Sequence, residues 1–231
     1  MNGLDMLCLG AHPDDVEIGM GGTIAKHAAA GLRIGICDLT RAEMSSNGTP
    51  ECREAEAAEA SAVLGLAYRS CLALPDRGLT GSAEQLEAVV REIRACRPRV
   101  VFAPYWDDRH PDHNSCSRIV EEAVFNAKLR RYLPDAPPVQ VEQLVFYYIN
   151  DVKDVGLMVD VSGCYERKRN ALATYRSQFE PVAEGSGRVA TPLNQRYIEN
   201  VEARDRLLGA SRQWTYAEGF IVKRPFAVEQ F

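Results

Sequence analysis

Three of the four histidines lie in two short polar stretches that also contain aspartates. His12, Asp14 and Asp15 follow one apolar run, and His110 and His113 follow another about a hundred residues later. Imidazole and carboxylate donors without a thiolate suit a catalytic zinc or a similar divalent ion, held by three protein ligands with a fourth position for water. The spacing alone leaves open which histidine of the second stretch binds metal and which aspartate addresses the water.

The pattern of apolar residues predicts that the two stretches meet. Strands are predicted at residues 6–10, 33–39, 68–74 and 99–103, with a helical pattern after each. Four such units predict an α/β fold with a Rossmann-like, doubly wound and mostly parallel sheet in the order 3-2-1-4. Strands 1 and 4 are then neighbours, and ligands bind at that point outside their carboxyl ends. We therefore expect the first and second histidine stretches to lie together.

The rest of the chain is expected to complete the same domain, spanning residues 1–231. Further strands are predicted at 144–149, 157–161 and 216–222, and helices at 22–30, 49–64, 114–129, 165–179 and 197–208. The part from about residue 140 onward would complete the sheet and the pocket. The glycines at 19–22 depart from GxGxxG spacing, and carboxylates stand where a pyrophosphate would lie, so close helix–strand packing is the favoured interpretation.

The composition argues against nucleic-acid and membrane binding. The formal net charge is −5, and no polybasic run occurs. The beginning of the sequence has no positively charged signal-peptide pattern, and no window approaches the roughly 18 apolar residues of a membrane span. The seven cysteines are scattered and never in CxxC spacing, which is typical of reduced thiols. We expect a cytoplasmic protein.

Three charged residues at the same edge of the predicted sheet are further candidates. Arg53 lies near the start of its helix, and Asp76 and Arg77 follow the third strand. Each alone is more typical of a solvated surface. Their shared position at the carboxyl ends of the strands makes contact with a substrate a reasonable hypothesis.

The paired stretches resemble the motifs of the LmbE-like, or PIG-L, family of zinc-dependent N-acetylglucosamine deacetylases. They are residues 11–15 (AHPDD) and 110–113 (HPDH). Residues 16–20, 36–40, 45–49, 75–79, 177–179 and 216–220 resemble the N-acetylglucosaminyl-malate deacetylases, the branch that makes bacillithiol. The broader family tends to show Thr-x-Gly-Glu after the second strand, whereas Ala42 replaces that glycine here, a departure that favours the branch.

The resemblance implies a division of roles within the two stretches. It implies three metal ligands: His12, Asp15 and His113. Asp14 would be the general base. His110 would stabilise the oxyanion, in a protonated state, or protonate the leaving amine, and Asp112 would orient it. The metal would be Zn²⁺, although His/Asp sites also accept Fe²⁺ or another divalent ion.

The resemblance also implies substrate contacts and assembly. Arg53 and Asp76 match positions that hold sugar hydroxyls, Arg109 suits the carboxylates of malate, and Tyr197 is a candidate pocket residue. The partner would be a small sugar conjugate. The family further implies a homo-oligomer, a trimer or a hexamer.

The sequence thus leads to one principal function and two alternatives. The principal function is hydrolysis of N-acetyl-D-glucosaminyl-L-malate to glucosaminyl-malate and acetate in bacillithiol biosynthesis. One alternative is deacetylation of another N-acetylglucosaminide, such as a chitooligosaccharide or a mycothiol precursor. The other is a non-catalytic, metal-binding Rossmann-like module. A metal-dependent phosphatase is disfavoured because no Lys or Arg accompanies the first stretch.

Overall fold

The computed structural model describes residues 3–225. The strands are β1 (Met6–Gly10), β2 (Ile34–Thr40), β3 (Tyr68–Leu74), β4 (Val100–Pro104), β5 (Gln143–Tyr147), β6 (Leu157–Asp160) and β7 (Ala217–Ile221). The helices are α1 (Asp15–Ala29), α2 (Pro50–Leu64), α3 (Ala83–Cys96), α4 (Pro111–Ala127), α5 (Tyr165–Thr174), α6 (Arg176–Phe179) and α7 (Tyr197–Ala210), with one 3₁₀ turn at Pro192–Asn194.

Within residues 3–225, the seven strands form one sheet in the order β3-β2-β1-β4-β5-β7-β6. The first five strands along the chain are parallel, and β7 runs antiparallel to β5 and to β6. The predicted 3-2-1-4 core is therefore confirmed. Because β1 and β4 are hydrogen-bonded neighbours, the segments that leave their carboxyl ends lie side by side.

The strands alternate their side chains between two hydrophobic layers, as the two-residue period of a strand requires. Met6 and Cys8 of β1 pack with the layer that contains α1, α2 and α5. Leu7 and Leu9 pack with the layer that contains α3 and α4. Both faces of β1 are buried, which explains its continuous apolar sequence.

Helix α1 differs most from its prediction, because it begins at Asp15 and not at residue 22. Gly19, Gly21 and Gly22, for which close packing was the favoured interpretation, lie inside the helix, where each allows a close approach. A Cβ at Gly19 would meet the Tyr147 ring, and one at Gly22 would lie 2.9 Å from the Cβ of Val161. Packing therefore explains this stretch.

Two further helix bounds also differ. Helix α4 begins at Pro111 because His110 caps it, and the predicted helix 165–179 is divided into α5 and α6 at Tyr175. Among the described residues, no helix combines the length and the apolar character that crossing a bilayer requires.

Replacing Gly22 by alanine should lower the free energy of unfolding. The new methyl group would collide with Val161, and overpacking of this kind outweighs the ~1 kcal/mol of helix propensity that alanine adds. Overpacking costs about 1–3 kcal/mol, so we expect a net loss of up to about 2 kcal/mol in urea unfolding. Gly163→Ala is the matched control, since its Cβ would meet nothing within 4 Å. Equal stability of the two variants would contradict the packing explanation.

Candidate functional site

The first histidine stretch is held where β1 passes into α1. Asp14 precedes the helix with a φ of 115°, a conformation that is less unusual for Asp and Asn than for other side chains. The Asp15 carboxylate accepts a hydrogen bond from the His12 backbone N–H at 2.9 Å and lies 3.5 Å from its Nδ1 atom. Asp14 instead contacts Arg53, with 3.0 Å between Oδ2 and the guanidinium. The side chains of the two aspartates therefore diverge.

The second stretch is held by the start of α4. His110 is the N-cap residue, and its Nδ1 accepts a hydrogen bond from the Asp112 backbone N–H at 3.3 Å. His113 follows in the first turn. Its Nδ1–H donates to Asp108 Oδ1 at 2.8 Å, and its Nε2 lies 3.1 Å from Asp15 Oδ1. This last contact joins the two stretches across the β1–β4 boundary.

Three imidazoles meet at this boundary. The ring centroids are 5.0 Å apart for His12 and His110, 5.7 Å for His12 and His113, and 4.7 Å for His110 and His113. One nitrogen from each ring falls in a group whose atoms all lie within 4.8 Å of one another. His12 also forms such a group with Asp76 and Asp112. The expected ligand Asp15 belongs to neither group, although its carboxylate contacts both His12 and His113. Imidazole and carboxylate donors of these kinds fit a zinc-like divalent ion.

Burial and neighbouring charges shift the pKa values of the site in different directions. Burial raises the pKa of Asp14 to about 7, although the Arg53 guanidinium acts in the opposite direction. Burial lowers the pKa of His110, and the nearby His113 and His12 rings lower it further. Burial opposes protonation of His113 as well, but Asp15 and Asp108 raise its pKa to about 9. Carboxylates that favour a proton on His113 would equally favour a cation beside it.

Asp112 does not lie where the expected contact with His110 requires. Its carboxylate accepts hydrogen bonds from Arg77, at 2.9 Å from the backbone N–H and at 3.1 Å from the guanidinium. It also lies 3.6 Å from His12 Nε2. Only its backbone N–H reaches His110, where it occupies Nδ1 and leaves the proton of the neutral ring on Nε2. The expectation that the Asp112 carboxylate supports a protonated His110 is therefore corrected.

The four expected substrate residues all line one cavity of about 580 Å³. They differ in how far their polar atoms already bond to other groups of the protein. Arg53 is only 2% exposed and contacts Asp14 and the Pro13 carbonyl, so it lies behind Asp14 and not among the free groups of the cavity. Asp76 is also engaged, because Oδ1 contacts His12 Nε2 at 3.1 Å and Oδ2 accepts the Met44 N–H at 3.0 Å.

Tyr197 and Arg109 differ in exposure, because Arg109 is exposed and Tyr197 is partly buried. The Tyr197 hydroxyl donates to Asn150 Oδ1 at 3.0 Å. Arg109 is exposed, and within residues 3–225 its guanidinium forms no hydrogen bond or ion pair. Both also line an adjoining cavity of about 480 Å³. The opening thus continues past Arg109 into a second lobe.

Two residues that support the site were not predicted. Asp108 accepts hydrogen bonds from His113 Nδ1, from the His110 backbone N–H and from Asn150 Nδ2, each at 2.8 Å. The signal for Asp108 was present, since an aspartate five residues before a candidate ligand can orient its ring. Asn150 gave no local signal, because it comes from the segment after β5.

Comparison with known proteins identifies the family. The profile of PIG-L, described as GlcNAc-PI de-N-acetylase, matches residues 7–124. The diacetylchitobiose deacetylase of Thermococcus kodakarensis is 30% identical over 189 residues, covering 75% of this chain and 70% of the relative. A probable N-acetyl-alpha-D-glucosaminyl L-malate deacetylase 2 of Bacillus cereus is 25% identical over 188 residues, covering 75% and 83%.

The fold is found in solved structures as well. The conserved protein TT1542 from Thermus thermophilus superposes with a TM-score of 0.89, at 41% sequence identity and with 97% of each chain covered. The resemblance that rested on residues 11–15 and 110–113 is thus confirmed over a much larger part of the chain. This protein belongs to the PIG-L family, described as GlcNAc-PI de-N-acetylases.

Proposed function

We propose that this protein is a zinc-dependent hydrolase that removes the acetyl group from N-acetyl-D-glucosaminyl-L-malate. The observation that carries the proposal is the meeting of His12, Asp15 and His113 beside Asp14 at one end of a cavity large enough for a sugar conjugate. Three protein ligands next to a buried carboxylate are the pattern of a catalytic zinc site. Family membership supports the acetamide of an N-acetylglucosaminide as the reacting group.

The chain's own groups supply the proton transfers of an amide hydrolysis. A divalent cation at His12, Asp15 and His113 would contribute Lewis acidity. Asp14 Oδ2 is engaged by Arg53, so Oδ1 takes the proton from the attacking water. His110 Nε2–H donates a hydrogen bond to the developing oxyanion, and Asp14 passes the proton that it took from the water to the departing amine. The products are acetate and a free glucosamine amine.

The charge at the cavity opening supports an anionic substrate. Arg109 is exposed, its guanidinium forms no hydrogen bond or ion pair within residues 3–225, and it lines both lobes of the cavity. A carboxylate in the second lobe could therefore form a charge-assisted hydrogen bond with it. Malate attached to the sugar would bring such carboxylates, whereas a chitooligosaccharide would not.

Acetate release from defined substrates tests the proposal. Protein that has been stripped with a chelator and reloaded with zinc should release acetate from the malate conjugate faster than from N-acetylglucosamine. N,N′-diacetylchitobiose is the necessary competitor, since the Thermococcus kodakarensis relative is named for it. If diacetylchitobiose were turned over faster than the malate conjugate, the proposed substrate would be wrong and diacetylchitobiose would take its place. No acetate from any of the three would reject these substrates and leave the mycothiol precursor and the non-catalytic module as the remaining alternatives.

Arg109→Gln should raise KM for the malate conjugate by about 10-fold or more with little change in kcat, because a hydrogen bond to a charged group contributes ~1.5–3 kcal/mol. KM for N-acetylglucosamine, which has no carboxylate, should stay within about twofold of the parent value. Arg99→Gln is the matched control, since Arg99 is exposed and pairs with Glu142. An equal rise in KM for both substrates would contradict recognition of a carboxylate.

A further inference from the structure

Helix α1 is interrupted just after the residues that carry the candidate ligand. Met20 has non-helical dihedral angles, with φ at −149° and ψ at 22°, so the helix consists of two pieces. The first piece, residues 15–19, is little more than one turn and contains Asp15. A single turn is not stable alone, because nucleation costs more than one hydrogen bond returns. The position of Asp15 therefore depends on contacts from elsewhere.

The second piece of α1 is held by a buried charge cluster. The Glu218 carboxylate of β7 accepts hydrogen bonds from the Gly22 and Thr23 backbone N–H groups at 2.9 and 2.6 Å. Lys168 Nζ contacts Glu218 Oε1 and Asp205 Oδ2, both at 2.7 Å. These three charged side chains are at most 1% exposed. Charges buried this deeply persist only when they are paired and hydrogen-bonded.

Arg204 of α7 connects this charge cluster to the site. Its Nε donates to Asp205 Oδ1 at 2.9 Å. With Arg204 included, the cluster has two positive and two negative side chains, so its formal charges cancel. Its Nη2 donates to the Ile18 carbonyl, in the first piece of α1, at 2.9 Å. Its Nη1 donates to the Ile149 carbonyl at 2.7 Å. One planar group therefore holds two separate backbone segments together.

The residue after Ile149 is connected to His113, the second candidate ligand, through hydrogen bonds to Asp108. The Asn150 backbone N–H donates to Asp108 Oδ2 at 3.2 Å, and its Nδ2 donates to Oδ1 at 2.8 Å. Asp108 Oδ1 in turn accepts from His113 Nδ1. The supports of Asp15 and of His113 thus converge on Arg204, which itself contacts neither.

We propose that Arg204 is a positioning residue that sets the separation of Asp15 from His113, and through it the affinity of the site for a divalent cation. The proposal rests on the metal-dependent function proposed above. The fork geometry of a guanidinium is essential to it, because Arg can donate in several fixed directions at once. Lysine would keep the charge beside Asp205 but could not reach the Ile18 and Ile149 carbonyls together.

Zinc affinity of Arg204→Lys tests the proposal. We expect an apparent dissociation constant about 10-fold weaker than that of the parent protein, measured by competition with a chromophoric chelator; loss of outer supports of metal ligands typically weakens affinity by 10–100-fold. Arg206→Lys is the matched control, because Arg206 lies on the same helix but is exposed and contacts Glu202 and Tyr216. The control should bind zinc like the parent.

The outcomes separate positioning from general stability. An Arg204→Lys protein that unfolds at lower urea concentration but binds zinc with unchanged affinity would overturn the proposal. If this variant does not fold, Asp205→Asn provides the same test, since it weakens the anchor of Arg204 away from the cavity; unchanged zinc affinity there would also overturn it. Because zinc binding needs no substrate, a parent protein that binds zinc but releases no acetate would reject only the proposed function.

Discussion

Replacing Asp14 by asparagine is expected to reduce kcat for acetate release by at least ~100-fold while the protein keeps its metal. The amide cannot take the proton that Asp14 Oδ1 accepts in the proposed reaction. Asp14 is directed toward Arg53, whereas Asp15 contacts both His12 and His113. Removing the base should therefore leave zinc content unchanged, as metal analysis of the dialysed variant will show.

Asparagine is a better test than alanine at this position. Alanine would leave the Arg53 guanidinium buried without its carboxylate, and removing one partner of a buried ion pair costs ~3–5 kcal/mol. It would also have to adopt the positive φ of Asp14, which asparagine tolerates more easily. The amide oxygen of the asparagine can still accept a hydrogen bond from Arg53, so a loss of activity reports the missing base and not a damaged fold.

The matched control is Asp107→Asn, in the segment after β4. Asp107 is exposed and pairs with Lys153 at 2.7 Å, so the same chemical change there should leave kcat within about twofold of the parent value. Substantial acetate release by Asp14→Asn, with zinc bound, would assign the base to another residue.

The sheet order and the meeting of the two histidine stretches could be predicted because both follow from local patterns. Buried parallel strands read as apolar runs, and short polar segments mark their ends. Right-handed crossovers leave few possible strand orders, and the common order makes β1 and β4 neighbours. The proximity of His12 to His110 and His113 thus required no knowledge of side-chain packing.

The start of α1 could not be predicted, because the usual helix signals are missing there. Asp14 makes no capping hydrogen bond through its side chain and adopts a positive φ. The glycines that follow are typical of a loop, and their helical conformation depends on Tyr147 and Val161 from distant strands or turns. Tertiary packing overrides local propensity at this point.

The supports of the site were also beyond prediction. Lys168 and Glu218 are 50 residues apart, and Arg53 reaches Asp14 from another helix. In the sequence, each of these three residues looks like an ordinary surface charge, because charged side chains are almost never fully buried unless they are paired. Only the three-dimensional structure reveals the partners, so the family resemblance placed Arg53 at the sugar hydroxyls, and no local pattern pointed to Arg204.

His113→Ala is expected to lose the bound metal. The parent protein should retain about one zinc ion per chain after dialysis, as a site with three protein ligands does, and the variant close to none. Both nitrogens of the His113 ring have partners, because Nδ1 donates to Asp108 and Nε2 faces Asp15. Elemental analysis of dialysed protein, with unfolding curves to verify the fold, makes the measurement.

Two further variants make the result specific. His27→Ala removes the fourth histidine, whose Nδ1 contacts the Thr23 carbonyl within α1, and should retain zinc like the parent. Asp108→Asn keeps the His113 ring but weakens its support, and should lower zinc affinity by ~10–100-fold without abolishing binding. Zinc binding should therefore weaken in the order His27→Ala, Asp108→Asn, His113→Ala. This order is expected if His113 is a metal ligand whose ring is oriented by Asp108. If His113→Ala still bound zinc at the parent stoichiometry, the cation would instead be held by the other group of donors, His12 with Asp76 and Asp112.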